Sequence, residues 1–408
     1  MEKEKKIFGF GKNVTVAGLV SFCMDISSEM IYPLVPLFLA NTLGVNKSVI
    51  GLIEGIAEST ASLLKVFSGW FSDRIGNRKW LMAVGYGIST LSRPFVALAT
   101  GWHQVLGSRF IDRFGKGLRT APRDAIIAES ADRAYLGRAF GFHRSMDTMG
   151  AVVGPAVAFF LLGLFSNDYR KVFWLSMIPG VIAVLLIIFF IKEKKRAGAQ
   201  LIAPTGSIDQ TPSISDRPNL TLKHFDWRFK FFVIITGLFA VGNSSDVFLI
   251  LRAQQVGVPT VMIPMVYLLF NFIYSLSSLP AGVAADRFGK KRVILSGFVL
   301  FAILYYGFGV ASGTKAIWVL FGFYGLFMGL TEGIQKAFLA TIIPQDFKAT
   351  AFGVYNTIVG LAMFPASLIG GWLWDHVSPS ATFYFGAVTA SLSAILFVIF
   401  IIAIKKNE

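Results

Sequence analysis

The chain of 408 residues is 54% hydrophobic and only 15% charged, with 40 phenylalanines and a mean hydropathy of +0.64. A water-soluble domain, about a quarter of whose residues are ordinarily charged, cannot hide that much apolar surface. The net charge of +15 does not call for nucleic acid, because the basic residues fall in short stretches between long apolar runs, where the positive-inside bias accounts for them.

A bilayer span needs roughly 20 mostly apolar residues, and backbone groups in lipid must be satisfied internally, which calls for helices. Unbroken runs such as Val181–Ile191 and Leu392–Ile404 exclude the alternating pattern of a β-barrel. In chain order, about twelve spans are predicted, near 14–39, 48–71, 80–99, 103–125, 138–163, 171–191, 229–252, 260–284, 292–311, 316–340, 350–374 and 381–404. The first carries Asp25 and Glu29 and is too long for a signal-peptide core, so it reads as an uncleaved helix. The single cysteine, Cys23, lies within it and admits no intramolecular disulfide.

Between the sixth and seventh spans lies a polar stretch rich in Lys, Pro, Ser and Thr, with the composition of a linker. The expected organisation is a six-helix bundle over 1–191, a cytoplasmic linker over 192–228 and a second six-helix bundle over 229–408. Lys and Arg concentrate at both termini, in the even-numbered loops and in the linker, whereas the odd loops hold few, among them Lys47, Arg170, Lys171 and Lys315, with Arg252 at a span end. Both termini are therefore expected in the cytoplasm of a multi-pass inner-membrane protein.

The halves repeat. Gly69, Asp73, Arg74, Gly76, Arg78 and Lys79 are matched in register by Gly282, Asp286, Arg287, Gly289, Lys291 and Arg292, and Ala139-Phe140-Gly141 by Ala351-Phe352-Gly353. Parallel six-helix halves with a midplane site between them are a transporter plan. The doubled loop resembles the signature between spans 2–3 and 8–9 of the major facilitator superfamily, and span count, linker and repeat extend that resemblance over the whole chain. Gly150, Gly154 and Pro155 resemble the family's antiporter motif of span 5, associated with export, although its later glycines are Ala158 and Phe159 here. The first span, from Asp25 through Tyr32, Pro33 and Pro36, is similar to the opening helix of drug:proton antiporters. Arg109 matches the family's buried arginine of span 4, but the usual glycine four positions on is Arg113. The resemblance implies an all-α membrane protein of two pseudo-symmetric bundles, acting by alternating access. In the loop, Asp73 is expected to accept from a helix N-terminus, Arg74 and Arg78 to pair with acids at neighbouring helix ends, and the glycines to allow the turn.

Ionisable residues at bilayer depth cost at least a few kcal/mol each and are presumed functional. The candidates for the substrate or proton pathway are Asp25 and Glu29 on span 1, Glu58 on span 2, Arg109, Asp112 and Arg113 on span 4, Arg144 and Asp147 on span 5, and Glu332 on span 10. Glu29 and Glu58 lead as proton carriers. Lys65, Arg119, Arg123 and Asp124 read as snorkelling or gate residues, and Arg93 as a kink-site cation paired with an acid such as Glu54. The eight aromatics Phe225, Trp227, Phe229, Trp318, Phe321, Phe323, Trp372 and Trp374 read mostly as interfacial or lipid-facing.

There is no nucleotide-binding loop, and His103, His143, His224 and His376 lack metal-ligand spacing. The expected function is proton-coupled export of a small solute, on one reading a lipophilic cation held by Glu29, Glu58 and aromatics, by a monomer in contact with membrane lipid, with no cofactor and no metal. Uptake or exchange of an anionic metabolite or chelate, held by Arg109, Arg113 and Arg144, is the alternative. A membrane enzyme, a channel and a receptor have no positive support in the sequence.

Overall fold

The computed structural model describes residues 11–75, 77–130, 136–192, 226–343 and 348–407, with side chains described for all of these except 65–75, 129, 136–138, 348–350 and 405–407. Gly76, and the side chains of Lys65, Gly69, Asp73 and Arg74, lie outside that description, as does the linker over 193–225, including Phe225.

Among the described residues, twelve helices carry the chain. In the first half they are α1 (Lys12–Thr42), α2 (Lys47–Ile75), α3 (Arg78–Leu98), α4 (Trp102–Ser130), α5 (Leu136–Leu164) and α6 (Tyr169–Phe190). In the second they are α7 (Trp227–Gln255), α8 (Ile263–Phe288), α9 (Lys290–Val310), α10 (Thr314–Leu339), α11 (Lys348–His376) and α12 (Pro379–Asn407). By length and composition, ten are apolar enough to cross a membrane; α2 and α4 are not among them. Those two carry several of the buried charges, and Glu54 and Glu58 of α2 pair with Arg109 and Arg113 of α4.

The repeat is visible in the packing. Within the first half α1 packs on α5 and α6, α4 on α2 and α3, and α3 on α6. Adding six to each label gives the packing of the second half: α7 on α11 and α12, α10 on α8 and α9, and α9 on α12. The two seams between halves, α2 with α11 and α5 with α8, exchange under the same operation. The all-α, two-bundle pseudo-symmetric architecture expected from the sequence is therefore observed.

The opening helix of each half is broken at a corresponding place. In α1 the helix ends at Ile31, turns at Tyr32–Leu34 around Pro33, and resumes as Val35–Leu37 and a wider turn over Phe38–Thr42. In α7 it ends at Gly242 and resumes at Val247, where the Ser245 hydroxyl accepts from the Val247 N–H at 3.4 Å. Proline removes a helical donor, and a short polar side chain offers the backbone another partner.

The end of the molecule at which α2 begins is closed across the halves. The Asp375 carboxylate of α11 accepts from the Ser48 N–H and Oγ, each at 2.7 Å, and from the Lys47 N–H at 3.2 Å. It thus caps a helix N-terminus of the other half, where a negative charge is favoured. At this end Arg170 donates to the carbonyls of Ala97 and Ala99, and Arg252 to those of Phe308, Gly309 and Ala311. Both cap the carbonyl-rich C-termini of α3 and α9, which their outward loop positions did not reveal.

The second half packs around aromatic rings, for example Phe239 on Phe298 at 4.4 Å and Phe301 on Tyr305 at 3.9 Å between centroids. This corrects the lipid-facing expectation for Phe229, Phe321 and Trp374, which are buried in that core. Trp227, Phe323 and Trp372 are exposed, and Trp318 is half-buried.

The tie between α2 and α4 is a two-pronged ion pair. Arg109 donates through Nε to Glu54 Oε1 at 3.0 Å and through Nη2 to Glu54 Oε2 at 2.6 Å, with both side chains almost fully buried. Removing one partner strands the other charge, which costs about 3–5 kcal/mol. Glu54→Gln and Arg109→Gln should each lower the melting temperature in detergent markedly, and the double variant should recover part of the loss. Singles as stable as the parent would contradict this. At the closed end, spin labels at positions 46 and 377 should report one short distance in the parent and a longer, broader population in Asp375→Ala. An unchanged distribution would show that the carboxylate does not hold the halves together.

Candidate functional site

Helix α4 supplies a basic stripe. Arg109, Asp112, Arg113, Lys116, Arg119 and Arg123 recur at steps of three and four residues, which places them on one side of a helix. Glu54 and Glu58 stand one turn apart on α2 and meet Arg109 and Arg113, also one turn apart. The second rung, Glu58 to Arg113 Nη2, measures 2.6 Å. Asp112 lies between Arg93 at 3.4 Å and Arg113 at 3.6 Å. Arg93 therefore pairs with Asp112 rather than with Glu54, both of whose oxygens are taken by Arg109, and it donates to Ser28 Oγ at 2.9 Å.

Asp25 and Glu29, one turn apart on α1, face the glycines of α5. A Cβ at Gly150 would lie 2.7 Å from the Asp25 Cβ, and one at Gly154 would lie 2.9 Å from the Glu29 Cβ. The Gly150–Gly154–Pro155 segment thus lets α1 and α5 approach closely, as small residues do in membrane helices, and it seats both acids at that seam. Neither acid is in an ion pair among the described residues, and Glu29 Oε2 is buried with no hydrogen-bond partner. The charges that act on them are Lys116, Arg113, Arg119 and Arg109 of α4 and Asp147 of α5.

On α5, Asp147 accepts from Ser21 Oγ and has His143 and Arg144 at 3.9 and 3.8 Å. Arg144 crosses to the other half and donates to the Tyr274 hydroxyl at 3.1 Å, while that hydroxyl donates to Glu332. Glu332 also has Lys336 at 3.9 Å. Asn271 Nδ2 donates to the Ala151 carbonyl at 3.4 Å. On α7, Asp246 accepts from Tyr324 at 2.7 Å.

Three adjoining cavities run inward from the end that carries Lys290. The outermost, of ≈ 460 Å³, is lined by Gly282, Asp286, Lys290, Arg144, Tyr274 and Glu332. The next, of ≈ 330 Å³, shares Arg144, Tyr274 and Glu332 with it and adds Asp25, Glu29, Lys116 and Arg119. The innermost, of ≈ 190 Å³, shares those last four and ends on Arg93, Arg109, Asp112, Arg113, Tyr32 and Tyr267. The described structure thus brings Asp25, Glu29, Glu58, Arg109, Asp112, Arg113, Arg144, Asp147 and Glu332 to one tract between the halves. Arg119, read as a gate residue, is 6% exposed and lies at its centre.

In the C-terminal copy of the loop motif, Gly289 makes the turn, with φ +94°, while Gly282 is inside α8; the Asp73 side chain, expected to cap a helix, lies outside the described residues. Asp286 is exposed and has Lys290 at 3.5 Å; α9 has no side-chain cap at its N-terminus. Arg287 is exposed with its guanidinium over Phe288. In the N-terminal copy, Arg78 is buried, and the α3 cap is Asn77, which accepts from the Trp80 N–H at 3.3 Å.

The sequence reading passed over the polar edge of α8: Tyr267, Asn271, Tyr274 and Ser278 all line these cavities. Their spacing of four, three and four in an apolar span was the available signal.

The family model described as Major Facilitator Superfamily matches residues 17–270 and 232–408. An uncharacterised MFS-type transporter of Methanocaldococcus jannaschii is 34% identical over 391 residues, 94% of this chain and 94% of that protein. A proton-coupled antiporter flippase of Staphylococcus saprophyticus is 20% identical over 413 residues, covering 98% of this chain and 97% of that protein. The crystal structure of the nucleoside transporter NupG is similar with a TM-score of 0.78 at 14% identity, covering 95% of this chain and 99% of that one, a likeness of fold alone. With its two matching packing sets and its tract between them, the chain belongs to the major facilitator superfamily and is a multi-pass membrane transporter rather than an enzyme.

Proposed function

We propose that this protein couples the movement of a small polar solute to protons by alternating access, with Asp25 and Glu29 as the coupling acids. The observation that carries the proposal is the pair's position: in the tract between the halves, facing Lys116 and Arg119, with no ion pair of their own among the described residues. Glu54 and Glu58 are poorer carriers, because a proton on Glu54 would leave Arg109 buried without that carboxylate, and one on Glu58 would leave Arg113 to share Asp112 with Arg93. Glu58 therefore gives way to Asp25 as the companion of Glu29.

The halves, 1–191 and 229–408, rock about the α2–α11 and α5–α8 seams. The Asp375 contact closes one end while the cavities lead from the other. With Lys290 at the cytoplasmic face, as the Lys/Arg asymmetry requires, this arrangement is inward-open. Asp286 then borders the cytoplasmic mouth, where a charge alters switching rather than affinity. Export in exchange for protons is the first reading of direction, supported by the Gly150–Gly154–Pro155 resemblance to the antiporter motif and by the proton-coupled antiporter among the relatives. The second, co-transport of an anion with protons, is favoured by Lys116 and Arg119, two cations of the tract that no carboxylate holds among the described residues.

In proteoliposomes, Glu29→Gln and Asp25→Asn should abolish transport driven by a proton gradient while preserving solute exchange down its own gradient, with melting temperatures near that of the parent. Full proton-driven transport in both variants would remove these acids from the coupling. For topology, cysteines at positions 5, 205 and 406 in a Cys23→Ser background should all resist impermeant maleimide added outside intact cells. External labelling of any one would reverse the orientation.

A further inference from the structure

We propose that the inner tract binds a small organic anion together with a proton, the negative group lying between Lys116 and Arg119. This rests on the proton-coupled reading above and names its class of solute. The anion site expected at Arg109, Arg113 and Arg144 is already occupied from within the protein: Arg109 and Arg113 hold Glu54 and Glu58, and Arg144 holds Asp147 and Tyr274.

Two cations are left over. The Lys116 side chain is open to the cavity, with no carboxylate at ion-pair distance among the described residues. Arg119 is 6% exposed, its Nη1 has no hydrogen-bond partner, and its guanidinium lies 4.2 Å from the centre of the Tyr86 ring. Both belong to the walls of the two inner cavities, which together suit a small metabolite. Deeper in, Tyr32 and Tyr267, with ring centroids 5.4 Å apart, give an aromatic surface for the body of such a solute.

The charge balance ties anion to proton. Among the described residues that line the two inner cavities, once the internal pairs are removed, Lys116 and Arg119 are offset by Asp25 and Glu29 alone, while Asp246 lies outside that lining on the Tyr324 hydroxyl. The groups facing those acids are Lys116, Arg113, Arg119 and Arg109 from α4, Asp147 from α5 and the Tyr267 hydroxyl from α8. A proton taken up by either acid leaves one positive charge unbalanced between the halves, which is costly once the tract closes around it. An anion at Lys116 and Arg119 removes that excess. Proton and anion therefore strengthen each other's binding, and the effect is reciprocal. A cationic solute would instead compete with the proton. The loaded and empty sites are both neutral in the anion case, so anion and proton cross together in one direction.

The test uses probes whose charge does not titrate: benzenesulfonate and benzyltrimethylammonium, which share a ring and differ in sign. With purified protein in detergent and weak buffer, benzenesulfonate should bind with proton uptake, more tightly as pH falls. Lys116→Gln and Arg119→Gln should each weaken it by roughly ten- to a hundredfold, the worth of one charge-assisted contact. Asp25→Asn with Glu29→Gln should bind it without proton uptake, and melting temperatures should confirm that the variants are folded. Preferential binding of benzyltrimethylammonium with proton release would overturn the anion proposal while leaving proton coupling in place. Benzenesulfonate binding without proton exchange in the parent would overturn the coupling. Failure of benzenesulfonate to bind, or unchanged binding in both cation variants, would overturn the site.

Discussion

A charge taken out of water must be met by another charge or by aligned hydrogen bonds, and that requirement organises the first half of this molecule. The charged face of helix α4 cannot lie in lipid, so it is turned to α2 and α3, which bring Glu54, Glu58 and Arg93 to it, while Phe110, Ile111 and Phe114 are exposed. The pairing fixes the rotation of α2 about its axis, and thereby which of its faces is free to meet α11. From there follow the seam between the halves and the end of the molecule that it closes. Little of the charge is surplus: of the basic residues on the α4 stripe, only Lys116 and Arg119 lack a carboxylate at ion-pair distance among the described residues, and they line both inner cavities.

The halves share a plan but not a chemistry. Around the tract, the first half is a lattice of guanidinium and carboxylate groups, whereas the second presents tyrosines and packs behind them on stacked and edge-to-face rings. Aromatic contacts of this kind add about 0.5–1.5 kcal/mol each beyond the area they bury. The second half is the apolar wall against which the charged one works, joined to it in the middle by the Arg144–Tyr274–Glu332 chain.

Helix number, the repeat and the acids and bases of the tract were legible in the sequence, because apolar length, doubled motifs and charge at bilayer depth are one-dimensional signals. The pairings were not. Spacing along α4 says that Arg109 and Asp112 share a side of the helix, but not that Arg93 on α3 faces the second rather than reaching Glu54. For the same reason Lys116 and Arg119 stood out only after every neighbour had been given its partner. Phe229, Phe321 and Trp374 look like membrane-facing aromatics in a list, and only packing shows them inside. The loop motif shows another limit: its glycines suggest a turn, but only the backbone assigns it to Gly289, whose φ of +94° calls for it, while Gly282 lies in α8.

The α2–α11 seam is built from backbone. Gly51 faces the Ser367 carbonyl, Gly55 the backbone of Phe364, Gly360 the side chain of Ser62, and Gly371 the Lys47 carbonyl. Close contact between two such bare surfaces leaves few side-chain ridges to interlock, so one helix can roll on the other without any residue first leaving a pocket. The same bareness leaves no clearance. One methyl group at Gly51 or Gly371 would act as a chock under a door, wedging the seam apart and biasing the molecule to whichever shape keeps those backbones separate. A transporter with this joint carries, at single glycines, the means of being frozen in one half of its cycle.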